Sequence, residues 1–249
     1  TTDYASFTFR KKSGFFDCLT WTGNDTAGRT IPHNLGSVPA MMLVKMTNGA
    51  YSWNVYHSGL GATKFLELNT TNGGQTSSAV WNNTAPTDSV FTVGNEYGVN
   101  QSGKTYVAYL FADNSAEDAE DQMIKCGSYT GTGASVGASV TLGWEPQFVL
   151  VKAASAGGSW AIMDTMRGIP NDSDNPTLFA DTDAAEVAQA NWLEINSTGF
   201  KTLNGNYANG NASGVTYIYM AIRAPMMVEP EAATDVFAVS TEAAFSSDR

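Results

Sequence analysis

The chain has 249 residues, 43% of them hydrophobic, and its 24 acidic and 13 basic side chains give a net charge of −11. This charge would repel the phosphates of a nucleic acid, and no basic cluster offsets it, so nucleic-acid binding is not expected. The apolar content is enough to build a core, but no apolar run approaches the roughly 20 residues that cross a bilayer, so membrane insertion is not expected.

The first residues of the chain already belong to a repeating pattern. Segment 4–18 aligns with 106–126 and with 217–239, and each has a Tyr-led alternating strand, a polar linker and an apolar segment. Residues 1–13 are therefore predicted to be the last strand of an upstream unit. Residues 226–249 are predicted to be a C-terminal extension or the start of a following unit, so we expect the chain to be a fragment, or one segment of a longer array.

Between these ends the chain repeats itself. NLGSVPAMMLVK at 34–45 returns as TLGWEPQFVLVK at 141–152, with matched leucines 107 positions apart and the two cysteines 108 apart. The tyrosines in TYVAYLFA and TYIYMAIR are 111 apart. This nearly constant offset indicates duplication of one unit, with small insertions in its loops. We predict two domains, 14–113 and 122–225, joined by a linker at 114–121.

Each unit has the pattern of a β-sandwich. Strand-like segments rich in β-branched and aromatic residues alternate with turns rich in Asn and Gly, at the roughly 8–12-residue spacing typical of sandwiches. The predicted fold class is therefore all-β, with two tandem, homologous β-sandwich domains. The one helical candidate is TDAAEVAQA at 182–190, which has a capping start and good helix formers.

The repeated phrase has a structural interpretation. Gly36 and its counterpart can adopt a backbone conformation closed to residues that carry a Cβ. Pro39 and its counterpart can begin the next strand, where a missing N–H is tolerated. Trp53 and Trp160 follow a turn that contains glycine and are predicted to fill the core of each unit.

The cysteines and histidines offer little chemistry. Cys18 and Cys126 are equivalent positions, so we expect them in two separate cores as small buried residues, out of reach of a disulfide. His33 and His57 have no histidine counterpart in the second unit, and no neighbour completes a metal-binding spacing. Capping or surface roles are predicted for both, and no cofactor is expected.

Acidic residues leave two possibilities open. Asp172, Asp174 and Asn175 share a loop and could offer the oxygen ligands that Ca²⁺ prefers, but the full calcium-loop motif is absent and a solvated loop is favoured. A glycosidase needs two carboxylates across a cleft, and nothing singles out Asp164 with Glu194 or Asp172 for that role. With no nucleophile elbow, phosphate loop or dinucleotide fingerprint, no enzymatic activity is predicted.

The loops suggest a binding surface. They are dense in Asn, Thr, Ser and Gly and are interrupted by aromatic residues, a combination suited to the stacking and hydrogen bonding of sugar rings. Loops 95–103 and 204–214 are the best candidates because they join strands and tolerate change. Tyr97 and Tyr207 are the predicted glycan contacts.

Six motifs make the chain similar to a known module: AGRTIPHNLGSVPAMMLVK, SWNVYHSGLGATKFLELN, WNNTAPTDSVFTVG, SGKTYVAYLFA, IKCGSYTGTG and TMRGIP. They resemble a repeated β module of tail-fibre and other virion structural proteins of tailed bacteriophages, especially marine ones. The resemblance covers nearly the whole chain and recurs in both units. Its motifs are structural, and no catalytic signature comes with them.

The resemblance implies a non-enzymatic structural protein of the virion, on the tail or the capsid surface. The first hypothesis is a tail-fibre segment that takes part in host attachment through surface glycans, as a homotrimer with other virion proteins as partners. The second is a capsid decoration or tail-scaffold subunit. The third is a polysaccharide-degrading tailspike.

Overall fold

The computed structural model describes residues 5–118, 121–169, 175–189 and 191–224. Two units of similar architecture follow each other along the chain. The elements of the first unit are β1 (Phe16–Thr22), β2 (Arg29–Pro32), β3 (Pro39–Met46), β4 (Asn54–His57), β5 (Lys64–Glu67), β6 (Gln75–Thr76), α1 (Ser78–Trp81), β7 (Val90–Val93), α2 (Tyr97–Asn100) and β8 (Thr105–Ala112).

The second unit contains strands only among its described residues. They are β9 (Ile124–Thr130), β10 (Val136–Thr141), β11 (Pro146–Ala153), β12 (Trp160–Asp164), β13 (Asn175–Phe179), β14 (Val187–Gln189), β15 (Leu193–Asn196), β16 (Gly199–Leu203) and β17 (Thr216–Arg223).

Each unit has a large and a small antiparallel sheet. The large sheets have the strand orders β1-β8-β3-β4-β5-β6 and β9-β17-β11-β12-β13-β14, so the same succession of strands occurs twice. The small sheets are β2-β7 and β10-β16-β15, in which β10 and β16 take the places of β2 and β7. The prediction of an all-β chain with two tandem, homologous β-sandwich units is confirmed.

Strand register supports the duplication residue by residue. In the first unit Tyr109 of β8 pairs with Cys18 on one side and with Leu43 on the other. In the second unit the residues 111, 108 and 107 positions later make the same two pairs. The offsets read from the sequence are therefore the offsets between structurally equivalent residues.

The repeated phrase begins a strand in both units, as predicted. Pro39 and Pro146 are the first residues of β3 and β11. The glycines three residues before them, Gly36 and Gly143, have φ angles of 74° and 96°, which residues with a Cβ rarely adopt. The phrase is conserved between the units because each large sheet needs the same turn before the same central strand.

The helix predicted at 182–190 is wrong. Val187–Gln189 is an edge strand that pairs with β13, so the helix propensity of the alanines is overridden by the chance to extend the sheet. Within the described ranges two short helices occur, α1 and α2; both lie in the first unit and were not predicted. Each begins after a residue whose side chain caps the helix, Ser77 for α1 and Glu96 for α2.

A buried asparagine organises the same loops in each unit. Asn100 is fully buried, and its amide donates to the carbonyl oxygens of Thr26 and Gly94, both at 2.9 Å. Asn211, 111 positions later, is equally buried and donates to the carbonyl of Ala134 at 2.8 Å. Both side chains thus donate to the equivalent carbonyl oxygen in the loop after the first strand of their unit, which is that of Thr26 or Ala134.

Asn100→Ala is expected to lower the free energy of unfolding by about 2–3 kcal/mol, because two carbonyl oxygens would lose their only side-chain donor in a buried place. Urea unfolding followed by tryptophan fluorescence measures this. Asn48→Ala is the control, since Asn48 is exposed and its side-chain hydrogen bonds to a neighbouring loop lie at the surface, where water can replace them. Equal losses for the two variants would contradict a structural role for Asn100.

Candidate functional site

The two units pack directly against each other. One face of the second large sheet is covered by the first unit, and five residues of this covered face are 6% exposed or less: Cys126, Leu150, Trp160, Ile218 and Met220. They belong to one apolar cluster with the core of the first unit, whereas the opposite face of the same sheet has a cluster of its own. The covered face is therefore an interface between units.

Hydrogen bonds fix the position of the first unit on this face. The indole Nε1 of Trp160 donates to the carbonyl oxygen of Glu67 at 2.9 Å, at the end of β5. His57, the last residue of β4, is bonded through Nε2 to the carbonyl oxygen of Tyr219 at 3.1 Å. Both bonds join a side chain of one unit to the backbone of the other, so they fix the position of one sheet relative to the other.

The loop after β5 adds three more bonds. The ammonium of Lys152 and the amide of Gly158 both donate to the carbonyl oxygen of Thr71, at 3.0 and 2.9 Å. The amide of Gly74 donates to the carbonyl oxygen of Ala154 at 2.7 Å. Residues 57–62 and 67–74 of the first unit, which we call the covering edge, thus hold the second unit by polar as well as apolar contacts.

His57 is neutral in this interface. The amide of Gly59 donates to its Nδ1 at 3.0 Å, so Nε2 carries the proton and donates to Tyr219. Burial lowers the pKa of His57 from 6.5 to about 4, since a charged ring would be cut off from water. Of the two roles predicted for His57, the surface role is wrong, because the residue is 1% exposed and links the two units, while the bond from the Gly59 amide is a capping contact. His33 does cap a turn, because its Nδ1 accepts from the amide of Leu35.

The equivalent face of the first unit is open to solvent. Its central residues are half-buried and line a groove of about 590 Å³. We call this surface the open face, and its residues are Cys18, Leu43, Trp53, Leu68 and Tyr109. The ring of Trp53 stacks on that of Tyr109, with centroids 6.2 Å apart.

Residues 5–11 lie along one side of the open face and form no strand of their own. Phe9 packs on Phe16 and Phe111 of the first unit, at 5.5 and 5.3 Å, while Phe7 packs on Phe148 of the second, at 5.4 Å. A second groove, of about 410 Å³, lies beside this segment and reaches the turn after β12. The domain limits given from the sequence stay predictions.

The open face corrects two expectations. Trp160 is buried, but between the units, and Trp53 is only half-buried, so the two tryptophans do not fill equivalent cores. Cys18 and Cys126 do not lie in separate cores either, because both pack against the same apolar cluster. Both thiols are free, and burial raises the pKa of each.

Tyr97, a predicted glycan contact, is 38% exposed and forms an aromatic pair with Tyr51, which is 39% exposed. The ring centroids are 5.2 Å apart, and the Tyr51 hydroxyl donates to the carboxylate of Glu96. This bond raises the pKa of Tyr51. Gly98 makes room for the pair, since a Cβ there would lie 2.4 Å from the Tyr51 ring. The Lys104 ammonium is 6.0 Å above the Tyr97 ring.

Tyr207, the other predicted contact, has a different setting. Its ring is half-buried against Trp192, at 5.2 Å, and its hydroxyl accepts a bond from Asn209 at 3.3 Å. By the 111-residue offset its counterpart is Glu96, not Tyr97. The two tyrosines therefore do not form a repeated site, and the exposed ring pair belongs to the first unit.

The carboxylates considered for catalysis are engaged with cations. Asp164 pairs with Arg167 at 2.7 Å and Glu194 with Lys201 at 2.8 Å, so each ties its own hairpin together. Asp172 and Asp174 lie outside the described residues, and the side-chain oxygen of Asn175 accepts backbone bonds. Among the residues that the structure describes, no cluster of acidic, His or Cys side chains could hold a metal ion, and no helix could span a membrane.

Comparison with known proteins adds one finding. Residues 5–225 match a family described as a domain of unknown function, DUF7483. The chain belongs to the DUF7483 family. No curated protein and no solved structure matches this DUF7483 chain. The family match spans both units, so the pair of units and the interface between them lie inside one DUF7483 domain.

Sequence reasoning missed the open face of the DUF7483 chain, although the signal was present. The alignment of Trp53 with Trp160 marks equivalent positions, but equivalence in sequence does not reveal that only one of them meets a neighbouring unit. It also missed the partner of Tyr97, because Tyr51 is 46 positions away and no local motif joins them.

Proposed function

We propose that this chain is a structural segment of a bacteriophage particle, as part of a tail fibre that takes part in attachment to host-surface glycans. The observation that carries this proposal is the packing of two like units through unlike surfaces. The covering edge of the first unit lies on a sheet face of the second, so the contact is heterologous.

A heterologous contact can continue in one direction. When a unit contacts its two neighbours through two different surfaces, each added unit leaves one of these surfaces free for the next. An extended array results. Repeat proteins of this kind gain stability from contacts between neighbours. Long, thin virion components such as fibres need this property, and the resemblance in the sequence motifs points to the same class.

Glycan contact is proposed at the Tyr51–Tyr97 pair. Two exposed rings can pack on the apolar faces of sugar rings, and Glu96 and Lys104 next to them can bond to hydroxyl groups. Tyr207 is a weaker candidate because its ring is half-buried and its hydroxyl already accepts a bond. The surface is shallow, so affinity per site is expected in about the millimolar range.

Two other structural or enzymatic roles are alternatives. A capsid decoration or tail-scaffold subunit would use the same fold without host contact. A polysaccharide-degrading tailspike would need a pair of free carboxylates, and Asp164 and Glu194 are held by Arg167 and Lys201. We therefore rank the tailspike below the two non-enzymatic roles.

Tyr97→Ala is expected to weaken glycan binding at least about tenfold, because one of the two stacking surfaces is lost. Binding to host lipopolysaccharide and capsular polysaccharide, measured by titration with the intact chain, tests this. Tyr207→Ala is the matched control and should change binding less than twofold, within about 0.4 kcal/mol.

Glycan binding, labelling of the virion and incubation with polysaccharide together separate the alternatives. No binding to any host glycan, together with gold labelling of the capsid and not the tail, would favour the decoration subunit. Shortened polysaccharide chains after incubation would favour the tailspike. A protein that antibodies fail to detect in purified phage would contradict the whole virion proposal.

A further inference from the structure

We infer that the open face is a docking site for a second copy of this chain, which presents the turn at residues 165–169 of its second unit. The inference goes beyond the proposed function and holds for any array-forming role. It depends on a comparison within the molecule, because the second unit shows how such a face is covered.

The two faces are equivalent, but only one is covered by another unit; residues 7–11 line one side of the open face and leave its central residues half-buried. Four residues of the open face have structural counterparts on the covered face, and those counterparts are all buried by a neighbouring unit. The open residues are only half-buried and are mainly apolar, which is costly unless a partner removes them from water. The pairs are Cys18 with Cys126, Leu43 with Leu150, Trp53 with Trp160, and Tyr109 with Met220.

The occupant is identified by what covers the second unit. There the turn after β4 reaches the sheet, and a Cβ placed on Gly59 would be 3.5 Å from the Ile218 side chain. The counterpart of this turn, after β12, is residues 165–169. Met166 takes the place of Gly59 and is 92% exposed, the most exposed large hydrophobic residue described. The chain thus has one unused receiving face and one unused turn.

The sizes of the facing residues are complementary. At the existing interface a small residue, Gly59, meets a large one, Ile218. At the proposed interface the counterpart of Ile218 is the smaller Val107, 111 positions earlier in the chain, and the residue that meets it is the long and flexible Met166. The smaller side chain on the sheet face is compensated by the larger side chain on the turn. The two units can therefore pack at the same distance as in the existing interface.

An unused hydrogen-bond donor points the same way. Trp160 Nε1 donates to the carbonyl oxygen of Glu67, whereas Trp53 Nε1 meets no acceptor among the described residues. Glu67 pairs with Asn54 in the first unit, and Phe179 occupies the same register opposite Ala161 in the second. In the docked pair, Trp53 Nε1 donates to the Phe179 carbonyl of the second copy.

Sedimentation velocity of the intact chain tests the inference. The average mass is expected to rise as the concentration goes from micromolar to millimolar, without a limit at the dimer. Leu43→Glu, at the centre of the open face, and Met166→Glu, on the turn, should each abolish this rise. Val136→Glu is the matched control, because Val136 is 64% exposed and lies on neither surface.

Mixing the two variants is the decisive step. Each keeps one of the two surfaces intact, so an equimolar mixture of Leu43→Glu and Met166→Glu should form a one-to-one dimer and nothing larger. A symmetric, face-to-face dimer would lose association with Leu43→Glu only, and that result would overturn the inference. The inference would also be overturned if the wild-type chain stays monomeric, or if the two variants associate as well as the wild type does.

Cys18 supplies a readout that needs no substitution. Its thiol lies in the groove, so its labelling by a maleimide should slow about tenfold as the chain associates, while Cys126 stays unreactive throughout. Chain labelled beforehand at Cys18 should no longer associate, which covers the case in which Leu43→Glu fails to fold. If Cys18 is protected only by a small apolar dye, in a chain that stays monomeric, the groove is a ligand pocket. That result would contradict docking of a second copy.

Discussion

Trp160→Ala is expected to lower the free energy of unfolding by about 4 kcal/mol, and the equivalent substitution Trp53→Ala by only about 1–2 kcal/mol. Trp160 is 1% exposed and loses both its packing between the units and its bond to Glu67. Trp53 is half-buried, stacks on Tyr109 and faces water on its other side. The two positions are equivalent in sequence, so the difference isolates what the neighbouring unit contributes.

Urea unfolding of the dilute chain, followed by circular dichroism, measures both variants. Because Trp160 joins the units, Trp160→Ala should also split unfolding into two transitions, one for each unit. Trp53→Ala should keep the shape of the wild-type transition. Equal losses for the two substitutions would mean that each tryptophan fills the core of its own unit, and the interface described above would then carry little energy.

Most of the fold could be predicted because duplication supplies an internal check. Each strand proposed from one unit could be tested against the other at a known offset, and the register of Cys18, Leu43 and Tyr109 shows that these offsets are structural. The phrase around Pro39 was predictable for a local reason, since glycine and proline restrict the backbone wherever they stand.

The relation between the units could not be predicted. Whether a half-apolar face such as that of Trp53 is covered depends on a partner far away in the sequence, and a pattern within one strand carries no information about that partner. The same holds for His57: a histidine that bonds a backbone carbonyl 162 positions away looks like a surface residue in the sequence. The helix predicted at 182–190 failed for a related reason, because pairing with a neighbouring strand outweighed local propensity.

The candidate glycan site was half predictable. Loop position and composition marked Tyr97, and the structure finds it exposed. Tyr207 has the same composition around it but packs on Trp192, so exposure separated two residues that sequence treated alike.

The stability of the chain is expected to fall by about 2–3 kcal/mol between pH 7.5 and pH 4.5 through His57 alone. Burial lowers the pKa of this histidine from 6.5 to about 4, so the folded state holds the neutral ring where the unfolded state binds a proton. A base with a lowered folded-state pKa contributes its full stability above pH 6.5. That contribution declines as the pH falls from 6.5 towards 4, because protonation favours the unfolded chain.

His57→Gln isolates this effect from the titration of other groups. Glutamine can still donate an N–H to the Tyr219 carbonyl but binds no proton, so the variant should lose about 2–3 kcal/mol less than the wild type over the same pH range. Asp113 is the nearby charged group that opposes the shift, and it is unchanged in the variant. Urea midpoints at the two pH values, read from tryptophan fluorescence, give the comparison. Parallel losses in the two proteins would show that His57 is not buried between the units, because only a ring cut off from water resists protonation down to pH 4.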